Sequence, residues 1–194
     1  MLPIILASSS PYRQQLLAKL DLEFTSFSPN IDESSLANEA PKALALRLSQ
    51  QKAQALAYQH PNHLMIGSDQ VACMNDIILN KPGNYHNAVA QLKLCSGQRV
   101  SFHTGITLLN SDTGKLYSDV VSHRVFFRAL CDDNIEDYVQ REKPYDCAGS
   151  FKVEGLGISL FEKLEGDDPN SLIGLPLIRL IDFLSQENIN VLAK

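Results

Sequence analysis

An α/β fold built on a long, twisted mixed sheet is what the sequence predicts, and two observations carry that reading. Apolar runs of strand length alternate with helix-like stretches along most of the 194 residues. Strand–helix units that suit parallel neighbours coexist with a pair of long strand-like runs that suit an antiparallel hairpin, so the sheet should be mixed. No repeat, low-complexity tract or linker breaks the pattern. Residues 1–194 are therefore expected to form one domain, with one sizeable core or two small lobes sharing a sheet.

The elements follow in order. Residues 3–7 are apolar and strand-like. A helix is expected over 11–20, with Ser10 as its N-cap and Pro11 at the first helical position, where a missing N–H costs nothing. Residues 23–28 alternate like a strand, and 41–58 form a long Ala/Leu/Gln-rich helix. Strands over 64–74 and 77–79 meet at Asn75-Asp76, and a helix over 85–95 is closed by Gly97. The hairpin pairs 99–110 with 115–128 through a turn at Ser111-Asp112-Thr113-Gly114. A helix over 132–142 begins with an Asp cap, a strand covers 158–164, and a closing helix spans 176–186.

Composition removes several function classes. Apolar residues make up 44% and charged ones 20%, inside the range of ordinary globular proteins, so disordered and collagen-like readings fall away. No apolar run approaches the ~20 residues that a membrane helix requires. Residues 1–7 lack a basic segment and are too short for a secretory signal. Cys73, Cys95, Cys131 and Cys147 are scattered without a C-x-x-C pair, which predicts reduced thiols in a cytoplasmic protein. A net charge of -5 argues against coating nucleic acid, yet a few cations and a metal can still make one positive pocket for a small anion.

Five segments carry chemistry. Ser8-Ser9-Ser10-Pro11-Tyr12-Arg13 sits where a strand ends and a helix starts, a place whose N–H groups and dipole favour an anion. The alternative is a serine N-cap beside a surface arginine. Asp69 interrupts an otherwise buried strand, which is expensive unless a cation, metal or hydrogen-bond network compensates it, or unless Gly67 marks a bulge that opens it to solvent. Lys52 is set in the apolar stripe Leu44, Leu48, Leu56, either snorkelling to water or holding its ammonium at the rim of a phosphate pocket. Asp32-Glu33 and Lys81-Pro82-Gly83 are turn segments that together offer carboxylates for a hard divalent cation and charge for a triphosphate. The sequence holds no Walker-type or dinucleotide-binding glycine loop and no nucleophile elbow. His60 and His63 find no third ligand nearby in sequence and are expected at the surface.

Taken jointly, these residues resemble a known family. Leu6-Ala7-Ser8-Ser9-Ser10-Pro11-Tyr12-Arg13, Asp32-Glu33, Gln51-Lys52-Ala53, Gly67-Ser68-Asp69-Gln70, Lys81-Pro82 and Gly174-Leu175-Pro176 are similar, in order and spacing, to the Maf nucleotide pyrophosphatases. Ala148-Gly149-Ser150-Phe151-Lys152-Val153-Glu154-Gly155 resembles the branch that acts on 7-methyl-GTP.

The resemblance implies metal-dependent hydrolysis of a nucleoside triphosphate to the monophosphate and pyrophosphate, with Mg, Mn or Co as the cation. It also implies two lobes with a cleft between them, and a homodimer. By the same carry-over, Asp69 activates water and, with Glu33, holds the metal; Ser8, Arg13, Lys52 and Lys81 bind phosphates. Tyr12, Gln70 and Glu154 fall where the family sets base specificity, although Tyr12 departs from the tryptophan more usual in the methyl-GTP branch. The competing expectations are the same chemistry on another modified or pyrimidine triphosphate, and a nucleotide-sensing regulator of cell division.

Overall fold

The computed structural model describes residues 2–75 and 77–193. It divides into two compact units, taking the described residues of Met1–Gln70, Thr104–Val121 and Asp168–Lys194 as the first, and Val71–His103 with Ser122–Asp167 as the second.

In the first unit, β1 (Ile4–Ala7) pairs in parallel with β2 (Phe24–Phe27) on one side and with β3 (Leu64–Met74) on the other. Helix α1 (Pro11–Ala18) connects β1 to β2, and α2 (Pro41–Ala57) carries the chain back past β1 to β3. The first connection thus places β2 on one side of β1, and the second places β3 on the other. That makes its carboxyl end a topological switch point, where open α/β sheets bind ligands.

Strand alternation sorts the core. Ile4, Leu6, Leu64, Ile66, Ile106 and Leu108 face Leu16 and Leu17 of α1 and the apolar stripe Leu177, Leu180, Phe183, Leu184 of α6 (Leu177–Gln186). Ile5, Ala7 and Met65 point the other way, onto Ala53 and Leu56 of α2.

Two glycines set how closely α2 approaches. A Cβ at Gly67 would stand 2.7 Å from the Ala53 backbone nitrogen, and one at Gly105 would stand 2.7 Å from the Ala45 carbonyl carbon. Neither gap admits a side chain, so the helix backbone lies directly on the strands. Ser49 and Thr107 hydroxyls bond across this contact at 2.9 Å.

The second unit holds β4 (Ile77–Ile78), antiparallel to the end of β3; α3 (Tyr85–Cys95); and α4 (Asp132–Glu142), which packs on α3. Its core includes a cluster of edge-to-face rings from Phe102, Phe127, Phe151 and Phe161. Strands β5 (Arg99–Asn110) and β6 (Leu116–Phe127) contribute to both units, and β7 (Phe161–Glu165) is antiparallel to β6. Together the seven strands form one mixed sheet in the order β2-β1-β3-β5-β6-β7, with β4 branching from β3.

Most expected elements stand within a residue or two, Ser10 caps α1 through its hydroxyl, and Gly97 follows α3 with a left-handed φ of 68°. The hairpin turn closes where Asn110 N–H donates to the Lys115 carbonyl at 2.9 Å. Two expectations need correction, and one short helix is added. The strand over 158–164 is a 3₁₀ turn at Leu156–Leu160 followed by β7, because Gly155 and Gly157 let this stretch fold against Glu142 and Lys152 before it extends. The cap of α4 is Cys131, without a side-chain bond; Asp132 and Asp133 occupy the first turn, where their charge meets the helix dipole. Helix α5 (Pro169–Ile173), too short to show a period, was not anticipated. Asp76 of the β3–β4 turn lies outside the described residues.

No helix among the described residues is long and apolar enough to cross a membrane. None of the four cysteines is in a disulfide among the described residues; Cys73 and Cys95 are buried, Cys147 is half-buried and Cys131 exposed. His60 stacks on Phe27 and His63 bonds to the Pro61 carbonyl.

Candidate functional site

Alternation along β3 decides which way each polar side chain points. Gly67 lies under α2, so Asp69, two residues on, faces α2 as well, while Ser68 and Gln70 face α5 and its flanks. Asp69 is only 7% exposed. Its carboxylate is compensated by Lys52, 5% exposed, whose Nζ lies 2.6 Å from Asp69 Oδ1. The same ammonium lies 2.7 Å from Glu33 Oε1. Lys52 therefore does not snorkel, and Asp69 is not at a solvent-open bulge. One buried cation joins a strand carboxylate to a loop carboxylate whose side chain is 56% exposed.

Arg13 stands on the same side of α1 as Leu16 and Leu17, and its Nε donates to the Gly174 carbonyl at 2.8 Å. That carbonyl also accepts from Ser68 Oγ at 2.9 Å. Gly174 has a φ of 119°, which a side chain would disfavour, so the Gly174-Leu175-Pro176 turn presents its carbonyl to Arg13. Burial pushes the guanidinium below its ordinary value, and attraction to Asp69 and Glu33 works in the opposite direction. An arginine stays cationic through such a shift at neutral pH.

Ser8 is buried just past β1; its hydroxyl accepts from Ser10 N–H at 3.1 Å, and its carbonyl accepts from Ser26 Oγ at 2.6 Å. The serine turn thus leads from the end of β1 into the α1 N-terminus, as an anion site requires. Gln70 spends its amide nitrogen on Thr104 Oγ1 and the Ser171 and Leu172 carbonyls, leaving the carbonyl oxygen as the end it can offer a ligand. Tyr12 is half-buried on α1.

The remaining two expected residues belong to the second unit. Lys81 is exposed in a turn fastened by Gly83 N–H to the Tyr145 carbonyl at 2.9 Å and by Asn87 Nδ2 to the Pro82 carbonyl at 2.9 Å. Glu154 is exposed in a turn whose flanks are tied to α4: Lys152 N–H donates to Tyr138 Oη at 3.0 Å, and Leu156 N–H to Glu142 Oε1 at 3.3 Å.

Of the expected residues, the structure joins Lys52, Asp69 and Glu33 by contact and sets Arg13 within electrostatic reach. Sequence reasoning missed Arg47 and Glu39, which fasten the loop carrying Glu33 to α2. Their signal was an acidic residue and an arginine eight apart across a helix start, too common a pattern to single out.

Residues 3–187 match the model of the Maf-like proteins. The chain belongs to the Maf family. Its relatives include proteins called 7-methyl-GTP pyrophosphatase from Pseudomonas putida, 56% identical over 98% of this chain and 100% of that one, and from Methylobacillus flagellatus, 53% identical over 99% and 100%. A third, from Vibrio vulnificus, is 53% identical over 97% of each. Among solved structures, a HAM1 protein from Coxiella burnetii superposes with a TM-score of 0.52 at 15% identity, covering 96% of this Maf chain and 100% of its own. The Staphylococcus aureus Ham1 protein gives 0.52 at 14% identity, covering 95% and 99%. These two likenesses concern the fold.

Proposed function

We infer that this Maf protein is a nucleoside triphosphate pyrophosphatase that cuts between the α and β phosphates, with 7-methyl-GTP as its favoured substrate. The observation that carries the reading is the buried Asp69–Lys52 pair, joined by the loop carboxylate of Glu33, at the switch-point end of the parallel strands, beside Arg13. Shared descent with the three pyrophosphatases supports the substrate.

The cluster fits a divalent cation such as Mg, Mn or Co. Lys52 Nζ already marks one point on which an Asp69 oxygen and a Glu33 oxygen converge, at 2.6 and 2.7 Å. Among the described residues no group of three or more His, Cys, Asp or Glu can hold a metal. Two carboxylates, with water and phosphate oxygens as the other ligands, suit a hard ion of the Mg type better than a closed cage. When bound, such an ion supplies charge neutralisation at the phosphates.

The chain's own residues do the rest. Asp69 takes the proton of a water that attacks the α phosphorus, while the bond to pyrophosphate breaks. Lys52, 2.6 Å from Asp69, neutralises charge that builds on the nonbridging oxygens. Arg13, its plane fixed by the Gly174 carbonyl, holds a phosphate with its remaining donors. Ser8 donates a hydroxyl to the same anion. By family motif, Lys81 takes a phosphate, and Tyr12, Gln70 and Glu154 read the base. The chain as a whole, 1–194, acts as one catalytic domain, in a cytoplasmic homodimer that clears the modified nucleotide from the pool.

The test is a panel of 7-methyl-GTP, GTP and pyrimidine triphosphates in ¹⁸O water, with and without chelator. Pyrophosphate release, label on the monophosphate and loss of activity with chelator are expected. Label in pyrophosphate places attack at the β phosphorus, and undiminished activity with chelator removes the metal.

A further inference from the structure

We propose that Arg47 is a positioning residue that sets cation affinity at the carboxylate pair, by clamping the loop that carries Glu33 onto α2. The proposal rests on the metal-dependent reading above. Asp69 is placed by a strand and Lys52 by a helix, but Glu33 lies in an irregular segment between β2 and α2, outside any strand or helix. A loop carboxylate meets a fixed point only if the loop itself is held.

Arg47 does the holding with all three of its nitrogens. Nε lies 2.7 Å from Glu39 Oε1, and Nη2 lies 2.7 Å from Glu39 Oε2, a bidentate pair. Nη2 also donates to the Ser34 carbonyl at 2.9 Å, one residue from Glu33. Nη1 donates to Gln51 Oε1 at 2.9 Å, the neighbour of Lys52 on α2. The guanidinium therefore joins the residue after Glu33 to the residue before Lys52.

Two further bonds stiffen the loop. Glu39 Oε2 accepts from Leu36 N–H at 3.0 Å, and Asp32 Oδ1 accepts from Ser34 N–H at 2.9 Å. The clamp is not a free surface pair: the Arg47 side chain is 20% exposed and that of Glu39 is 8%. A planar fork with this many fixed acceptors is not replaced by a lysine, which keeps the charge and loses the geometry.

Arg47→Lys, Arg47→Met and Glu39→Gln test this in the full chain. Mn²⁺ binding is read from the EPR signal of the free ion, without nucleotide. Hydrogen exchange is followed over residues 31–40 and 41–57, and thermal unfolding shows that each variant is folded. The Mn²⁺ dissociation constant should rise about tenfold in Arg47→Met and in Glu39→Gln, the scale seen when a residue that orients a metal ligand is lost. Arg47→Lys should weaken binding by a similar factor, since it keeps only the charge. Exchange should quicken over 31–40 and not over 41–57, and kcat at saturating metal should hold. A merely structural Arg47 would lower the melting temperature and leave the Mn²⁺ constant where it was, which overturns the proposal. So does rescue of the constant by lysine, or unchanged exchange in 31–40. If Arg47→Met does not fold, Glu39→Gln decides. A parent protein that fails to bind Mn²⁺ sinks the metal reading and this proposal together. One that binds it but releases no pyrophosphate sinks the proposed reaction alone.

Discussion

Substituting Gly67 by alanine should disable the protein without touching a charged residue. A Cβ there would overlap the Ser49 carbonyl oxygen and stand 2.7 Å from Ala53 N, against about 3.4 Å for an ordinary contact. Both neighbours are backbone atoms of α2, so no side-chain rotation relieves the clash; the helix must retreat by about 0.7 Å or more. Overpacking of this kind costs about 1–3 kcal/mol, which shifts the melting temperature downward by several degrees for a chain this size. The retreat also carries Lys52 away from Asp69, because Lys52 lies between the two α2 residues that meet the new methyl group and β3. Displacements near 1 Å in a reacting constellation cost up to ~10²-fold in rate. Pyrophosphate release at saturating metal and substrate, measured beside a thermal melt, reads both effects. Gly114→Ala is the control: its φ is 74°, but a Cβ there meets nothing within 4 Å, so it should lose a little stability and no activity. Parental melting temperature and rate in Gly67→Ala would refute the claim that helix–strand contact sets the site's geometry.

Three other outcomes follow from the same structure. Asp69→Asn keeps the shape and removes the charge. Pyrophosphate release should fall by ~10² or more at saturating metal, and a rate near the parent's removes Asp69 from the chemistry. Glu154→Gln should lower kcat/KM for 7-methyl-GTP more than for GTP, since a carboxylate gains most from the cationic purine; equal losses on both substrates would end that specificity assignment. The Arg47 hydrogen bonds hold the Glu39 carboxyl down to about 2 from an ordinary 4.5, so the clamp's contribution to stability is complete above pH 4.5 and is lost as pH falls toward 2. The melting-temperature gap between the parent and Glu39→Gln should therefore close over that window. A gap constant from pH 5 to pH 2 contradicts the assignment.

Periodicity and punctuation in the sequence determined most of the fold. Ser10-Pro11 started α1 and Gly97 ended α3, because caps and breakers act within a few residues of themselves. The anomalies were equally legible: a carboxylate at Asp69 inside a buried strand and a lysine at Lys52 inside an apolar stripe each announced an uncompensated cost. Their resolution was not. That the two compensate each other, with Glu33 as the second anion, depends on strand parity at Gly67 and on how closely α2 lies on β3. Those are properties of contacts between segments far apart in the chain. Tertiary structure alone also decided the orientation of Arg13 through the Gly174 carbonyl, 161 residues away, and the clamp from Arg47 to Glu39 and Ser34. Local sequence encodes where a charge costs free energy, but the partner that offsets it is chosen by packing.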